Sequence, residues 1–342
     1  MSFAYYRLPY SNTYTKVCQD DEPLMLDSFD HLAGKEGFVI APFAISQQTP
    51  LIVMNGQMTH ATVPSIDNTA PRTANRQCAD AVDGKYAHDF DTFHKAVSSG
   101  QFRKLVLART KESSLTAEPD VEQMFFTLCQ DYPRAMVMLF STPQSGTWLI
   151  ASPEILVESQ GPYLCTIALA GTMPMDEGLP QWSEKNKHEQ HIVEQYIENT
   201  ITPLCSSIIK DGPRTVRAGQ LMHLRTDFHF LPNKGVGIGA LAARLHPTPA
   251  VCGMPKAEAH RFILDNESID RRYYSGFAGP LNLFGETHLY VSLRCMCING
   301  NHLTCYAGGG IMPDSNVNEE WHETEMKMIT QVSQAQLARP ND

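Results

Sequence analysis

The feature that most constrains the fold is a set of apolar runs with only irregular room for helices between them: KLVLART (104–110), RAMVMLFST (134–142), TWLIASPEILVES (147–159), YLCTIALAG (163–171), LYVSLRCMCI (289–298) and HLTCYAGGG (302–310). Apolar, β-branched and aromatic runs bounded by Gly, Pro or polar clusters read as strands. A doubly wound parallel sheet would need a helix after nearly every strand, and that alternation is missing. The expected class is α+β, a single large domain with two large, mostly antiparallel β-sheets flanked by helices. GFVIAPFAI and TPLIVMNG in the first 70 residues read as further strands and carry no recognisable chemistry. No repeat of roughly 20 to 50 residues and no Gly/Ser or Pro run divides the chain, so residues 1–342 are expected to form one domain.

A hydrophobic content of 42% over 342 residues can fill a sizeable core. The net charge of -10 argues against a nucleic-acid-binding surface, which needs clustered Lys and Arg. An anionic substrate must therefore meet local positive charge. No stretch approaches the roughly 20 apolar residues that span a bilayer, and MSFAYYRLPY lacks the basic-then-apolar pattern of a signal peptide. A cytoplasmic protein with no membrane partner is expected, as a monomer or weak homodimer. The nine cysteines contain no C-x-x-C and fit reduced, mostly buried thiols.

Three segments hold residues suited to chemistry. In AGGGIMPDSNVNEEWHETEMK, Glu320, Glu323 and Lys327 fall at i, i+3 and i+7, which places two carboxylates and an ammonium on one helix face beside the glycine run 308–310. Backbone N–H groups, a hard-cation site and a positive charge around one anion suggest a carboxylated metabolite with Mg2+. In WSEKNKHEQHIVEQYIENTITP, Ile192, Val193, Tyr196 and Ile197 form a helical stripe ended by Pro203, and Glu189 heads that stripe. A carboxylate aligned with a core-facing side needs a partner. Lys104 opens the strand KLVLAR, and Glu154 lies where Ser-Pro interrupts ASPEILVES; as residues alone, both read as exposed surface charge. Zinc through His188 and His191 is disfavoured, because a zincin helix needs H-E-x-x-H and position 192 is Ile. The glycine run is not a phosphate loop, since no Gly-Lys-Ser/Thr follows it.

FRKLVLAR, ASPEILVES, IALAGT, KHEQHIVEQ, LHPTPAVCG, RRYYSGFAG, SLRCMCI and the AGGG-to-EMK stretch occur in an order that resembles the chorismate-utilising enzymes, isochorismate synthases in particular. The resemblance covers about residues 85 to 335 and leaves the first 80 as the variable part. It implies a chorismate-binding fold of the anthranilate-synthase kind, chorismate as substrate and Mg2+ as cofactor, with water adding at C2 as the C4 hydroxyl leaves. Lys104 matches the family's general base and Glu154 its general acid, roles that ask for a lysine able to lose its proton and a carboxyl able to keep one. Glu189 and Glu323 match direct Mg2+ ligands, and Glu320 one that acts through water. Arg294 and Lys327 match cationic groups around the substrate's carboxylate and ring substituents. Gly171 and Thr172, with Gly308, Gly309 and Gly310, resemble loops lining the cavity; family members often carry Ala at position 309. His246 and Tyr274 match positions near the ring or its enolpyruvyl arm, one layer back, and Thr226 belongs with them.

Within the family, ammonia-using members resemble this chain except for a Gln at the position of Lys104, and one type of aminodeoxychorismate synthase carries a nucleophilic Lys at the position of Ala170. Release of isochorismate is the expectation because it demands no second reaction. Salicylate synthases, which go on to eliminate pyruvate, remain the alternative.

Overall fold

Two nine-stranded sheets carry the chain. The computed structural model describes residues 1–66, 81–175, 181–218 and 221–337. The first sheet runs, in spatial order, through Gly253–Met254, Lys104–Ser114, His302–Ile311, Cys295–Asn299, Gly146–Ser152, Met136–Thr142, Ser2–Arg7, Thr13–Gln19 and Gln57–Thr62. The second runs through Cys205–Ala218, Leu221–Pro232, Tyr163–Pro174, Ile155–Gln160, His288–Val291, Phe277–Leu281, Gly37–Ala41, Leu51–Met54 and Leu24–Leu26. Every pairing between these strands is antiparallel. Residues 2–62 therefore add three strands to an edge of each sheet, and this opening segment is interleaved with the rest.

Five elements position the site: strands β1 (Lys104–Ser114), β2 (Tyr163–Pro174) and β3 (His302–Ile311), and helices α1 (Glu184–Ile201) and α2 (Val317–Leu337). The sheets face each other across a core in which Phe140, Trp148 and Ile150 of the first meet Phe38, Ile167 and Tyr290 of the second. Each fully buried side chain of this size contributes roughly 1.5–3 kcal/mol. Helices cover the outer faces. Val193, Tyr196 and Ile197 of α1 pack on Ala168 and Phe228, while Phe125 and Leu128 of the helix Val121–Asp131 pack on Leu139, Leu149 and Leu303. Ser183 caps α1 by accepting from the Asn186 N–H.

Two runs that read as single strands are each split between the sheets. TWLIASPEILVES leaves the first sheet after Ser152 and enters the second at Ile155; LYVSLRCMCI leaves the second after Val291 and enters the first at Cys295. Pro153 has no N–H to continue a ladder, and Arg294 takes a left-handed φ of 48°. The crossings lie side by side, the Ala151 N–H donating to Arg294 O at 3.2 Å and the Val291 N–H to Glu154 O at 2.9 Å. Glu154 and Arg294 thus stand together at the seam between the sheets.

The eight described cysteines are all free thiols. Among the described residues no helix is long and apolar enough to cross a membrane.

Candidate active site

Period-2 alternation decides where Lys104 points. Leu105 and Leu107 of β1 pack outward with Phe93 and Trp321, while Ala108 belongs to the core between the sheets. Lys104, Val106 and Ala108 therefore share the inner face, and Lys104 is wholly buried. Its Nζ lies 2.8 Å from Glu189 Oε1, yet this ion pair lacks the alignment of a hydrogen bond, leaving the ammonium's donors without a directed acceptor. Burial works against charge on Glu189, but Lys104 above all, with Lys327 and Lys185, outweighs it and holds that carboxyl below the ordinary range.

Val106 and Gly310 sit opposite one another in the β1–β3 ladder, and both line a cleft. Glu154, Gly171, Thr172, Glu189, Tyr274, Arg294, Gly308 and Lys327 also line it. Glu154 is 2% exposed. Its backbone N–H donates to Ser152 Oγ at 3.2 Å, and its Oε1 accepts weakly from Thr248 Oγ1 at 3.5 Å. Burial pushes its carboxyl up to about 8, against the lowering pull of Lys104, Thr248 and Lys327. At neutral pH it carries a proton.

On the opposite wall, Gly171 supplies a positive φ of 68° at the bulge between Ala170 and Thr172. A Cβ there would come within 3.2 Å of Asn186 Cβ, so the glycine also lets α1 approach. The Gly171 carbonyl accepts from His223 Nδ1 at 3.0 Å, which fixes the tautomer so that Nε2 accepts from Arg294 Nη2 at 2.8 Å. Burial first, then the charge of Arg294, holds His223 well below its usual range. It is a neutral relay that orients the guanidinium, and no local sequence pattern marks it for that part.

Lys327 Nζ donates to Glu323 Oε1 at 2.7 Å and to Gly308 O at 2.8 Å. Glu320 accepts from Ser315 Oγ at 2.7 Å and from Lys185. Burial and then the neighbouring Glu323 raise Glu320 to about 6. The glycine run orders these groups. A Cβ on Gly310 would lie 2.3 Å from Glu189 Oε1 and 3.0 Å from Lys104 Cε, whereas one on Gly309 would lie 2.9 Å from Glu320 Oε2 and 3.8 Å from Glu323 Oε1. Successive residues of a strand face opposite sides, so Gly309 opens toward the α2 carboxylates and not into the cleft. A family alanine at this position would therefore press on Glu320, and Gly309, expected among the residues lining the cavity, stands outside its wall.

The oxygen-only donors Glu189, Glu320 and Glu323 fit Mg2+ chemically. Each is held by its own lysine, and the three are not gathered within 4.8 Å of one another. Among the described residues the set that is so gathered is Cys165, Asp227 and His229; there Asp227 is already engaged by Arg214 and Arg225, whose charges oppose a cation. His188 and His191 are exposed.

Two expected positions stand back from the cleft. His246 packs between Phe29 and Phe277, bonds Phe43 O at 3.3 Å, and is driven down to about 3 by burial, so it is a neutral core residue. Its segment serves the site through Thr248 instead. Thr226 lies beneath α1, bonded to Gln190 and Glu194.

Beneath β1 runs a buttress that sequence reasoning missed. Arg271 donates to Val106 O at 2.8 Å, to Val251 O at 2.7 Å and to Glu267, whose Oε1 accepts the Ala108 N–H at 2.7 Å. Both side chains are 2% exposed. Breaking a buried pair leaves an uncompensated charge. Arg271→Leu is expected to destabilise the fold by about 3–5 kcal/mol, read as a fall in the urea unfolding midpoint; an unchanged midpoint would remove the buttress from the account. On the outer face Arg109 stacks 3.6 Å from Trp321 and donates to Thr324 at 2.6 Å, fixing α2 on β1.

Residues 43–334 match the sequence model of the family described as chorismate binding enzyme. Isochorismate synthase EntC of Escherichia coli (strain K12) is 28% identical over 282 residues, 78% of this chain and 72% of that protein. Isochorismate synthase MenF of Bacillus subtilis (strain 168) is 30% identical over 254 residues, 71% of this chain and 54% of that one. Among solved structures, MenF, the menaquinone-specific isochorismate synthase from Escherichia coli, superposes with a TM-score of 0.78 at 20% identity, over 98% of this chain and 89% of that chain.

Proposed function

Because the chain belongs to the chorismate-binding enzyme family, we propose that it converts chorismate to isochorismate. The observation that supports this reading is a buried Glu154 in the wall of a cleft that also presents Glu189, Arg294 and Lys327, with Lys104 buried beside Glu189. Lys104 takes a proton from water as its oxygen bonds to C2. The ring double bonds shift, the C4–O bond breaks, and Glu154 gives its proton to the departing hydroxyl, which leaves as water. The atoms balance, and the net change is isomerisation. Arg294, oriented by His223, and Lys327 match the anionic groups of the substrate. Lys104, an ammonium in its ion pair with Glu189, must lose a proton before it can accept one, and after turnover the proton it has taken returns to Glu154 by way of solvent.

Mg2+, held by Glu189 and Glu323 with Glu320 acting through water, would supply charge neutralisation for the substrate's ring carboxylate. Lysine at 104 and alanine at 170 oppose the ammonia-using and covalent-lysine alternatives. Incubating the protein with chorismate and Mg2+ and separating the products by chromatography tests the proposal. An isochorismate peak supports it, a salicylate peak shifts it to the pyruvate-eliminating reaction, and an unchanged chorismate peak defeats it. Glu323→Gln should raise the Mg2+ concentration for half-maximal rate by roughly tenfold or more, and an unaltered requirement would take Glu323 out of the metal set.

A further inference from the structure

Three carboxylates meet three ammoniums around the end of β3: Glu189 with Lys104, Glu323 with Lys327 and Glu320 with Lys185. In the resting protein two of the ammoniums are more closely confined. Lys104 is wholly buried, and Lys327 is tied to the Gly308 carbonyl as well as to Glu323. Lys185, on the first turn of α1, is 20% exposed, much as Lys327 is at 19% and against 2% for Glu320; it differs in that its ammonium bonds Glu320 with no backbone carbonyl as a second anchor. A long lysine stem can carry its charged head out to water. Its charge also acts on Glu189 and Glu323, after Glu320, so it lies within reach of the whole acidic set.

With the pairs intact, three charges of each sign cancel. A dication added alone leaves two positive charges in excess at a buried place, which is costly. The excess falls when an ammonium departs, or when a dianion arrives. We propose that Lys185 is a resident counter-cation that a divalent metal must displace from Glu320, so that metal binds weakly until an anionic substrate restores the charge balance. This rests on the reading of Glu189, Glu320 and Glu323 as the metal-holding set.

The test is calorimetric titration of MgCl2 at pH 8 into the parent protein, Lys185→Met, Lys185→Gln and Lys187→Gln, without and with chorismate. Lys187 pairs with Glu184 and is 55% exposed, so its variant changes net charge equally without touching Glu320. Both Lys185 variants should bind Mg2+ alone roughly tenfold or more tightly than the parent, and chorismate should then tighten Mg2+ by a smaller factor than in the parent. Lys187→Gln should match the parent. If Lys185→Met fails to fold by circular dichroism, Lys185→Gln carries the comparison. Equal or weaker Mg2+ binding in the Lys185 variants overturns the proposal while leaving the metal set standing, and so does equal tightening in Lys187→Gln. Absence of Mg2+ binding in every protein, chorismate included, overturns the metal reading along with it.

Discussion

Lys104→Ala is expected to cut turnover of chorismate by roughly 10²- to 10⁴-fold, the contribution of a positioned proton-transfer group. Binding of chorismate with Mg2+ should stay close to that of the parent, because the lysine is asked to act on water in the transition state and not on the ground-state substrate. The side chain is wholly buried on the inner face of β1, so its loss leaves a small void and does not expose the site. Single-turnover rates and chorismate affinity separate the two effects. Parent-like turnover in the variant would defeat the base assignment, and loss of binding in step with rate would recast Lys104 as a structural counter-ion of Glu189.

Glu154→Gln should lose activity on the same scale and gain stability, with a pH signature in the second effect. The folded state keeps the Glu154 proton up to about 8, whereas the unfolded chain releases it near the ordinary 4.5. Unfolding therefore sheds a proton across that window, and the parent's stability falls as pH rises, at on the order of 1.4 kcal/mol per pH unit. The glutamine variant has no such proton. Its stability advantage should be small near pH 4.5, widen toward pH 8 and flatten above it, as read from urea midpoints at pH 5, 7 and 9. A constant gap would mean that Glu154 ionises normally in the folded protein. In the parent, kcat/KM should fall as pH rises through about 8, when the acid of the free enzyme loses its proton.

Much of the architecture was legible because helical spacing and turn chemistry act locally. The Ser-Pro step in ASPEILVES marked an interruption beside Glu154, while KLVLAR, apolar from Leu105 to Ala108, gave no alternation to say which face Lys104 takes. The helix stripe through Ile192, Val193, Tyr196 and Ile197 is buried as its spacing requires. Strand propensity does not say which sheet a run will join, and so two runs that each serve both sheets read as one strand apiece. The partners of the key groups were out of reach for a related reason. Arg271 meets Val106 across 165 positions of sequence, and Arg294 meets His223 across 71; no local pattern encodes such closures. His246 stayed open between a place behind the substrate and a place in the core, because a histidine beside proline reads alike whether it faces a ligand or, as here, Phe29 and Phe277.

The seam at Glu154 and Arg294 makes function a gauge of alignment between two slabs. Lys104 rides on one slab, while Gly171, His223 and Glu189 ride on or over the other, so a slip of one past the other would separate the proton donor's surroundings from the proton acceptor's without unravelling either. Such a molecule would lose its chemistry before its strands, and activity would report the fit of the halves more sensitively than any measure of secondary structure.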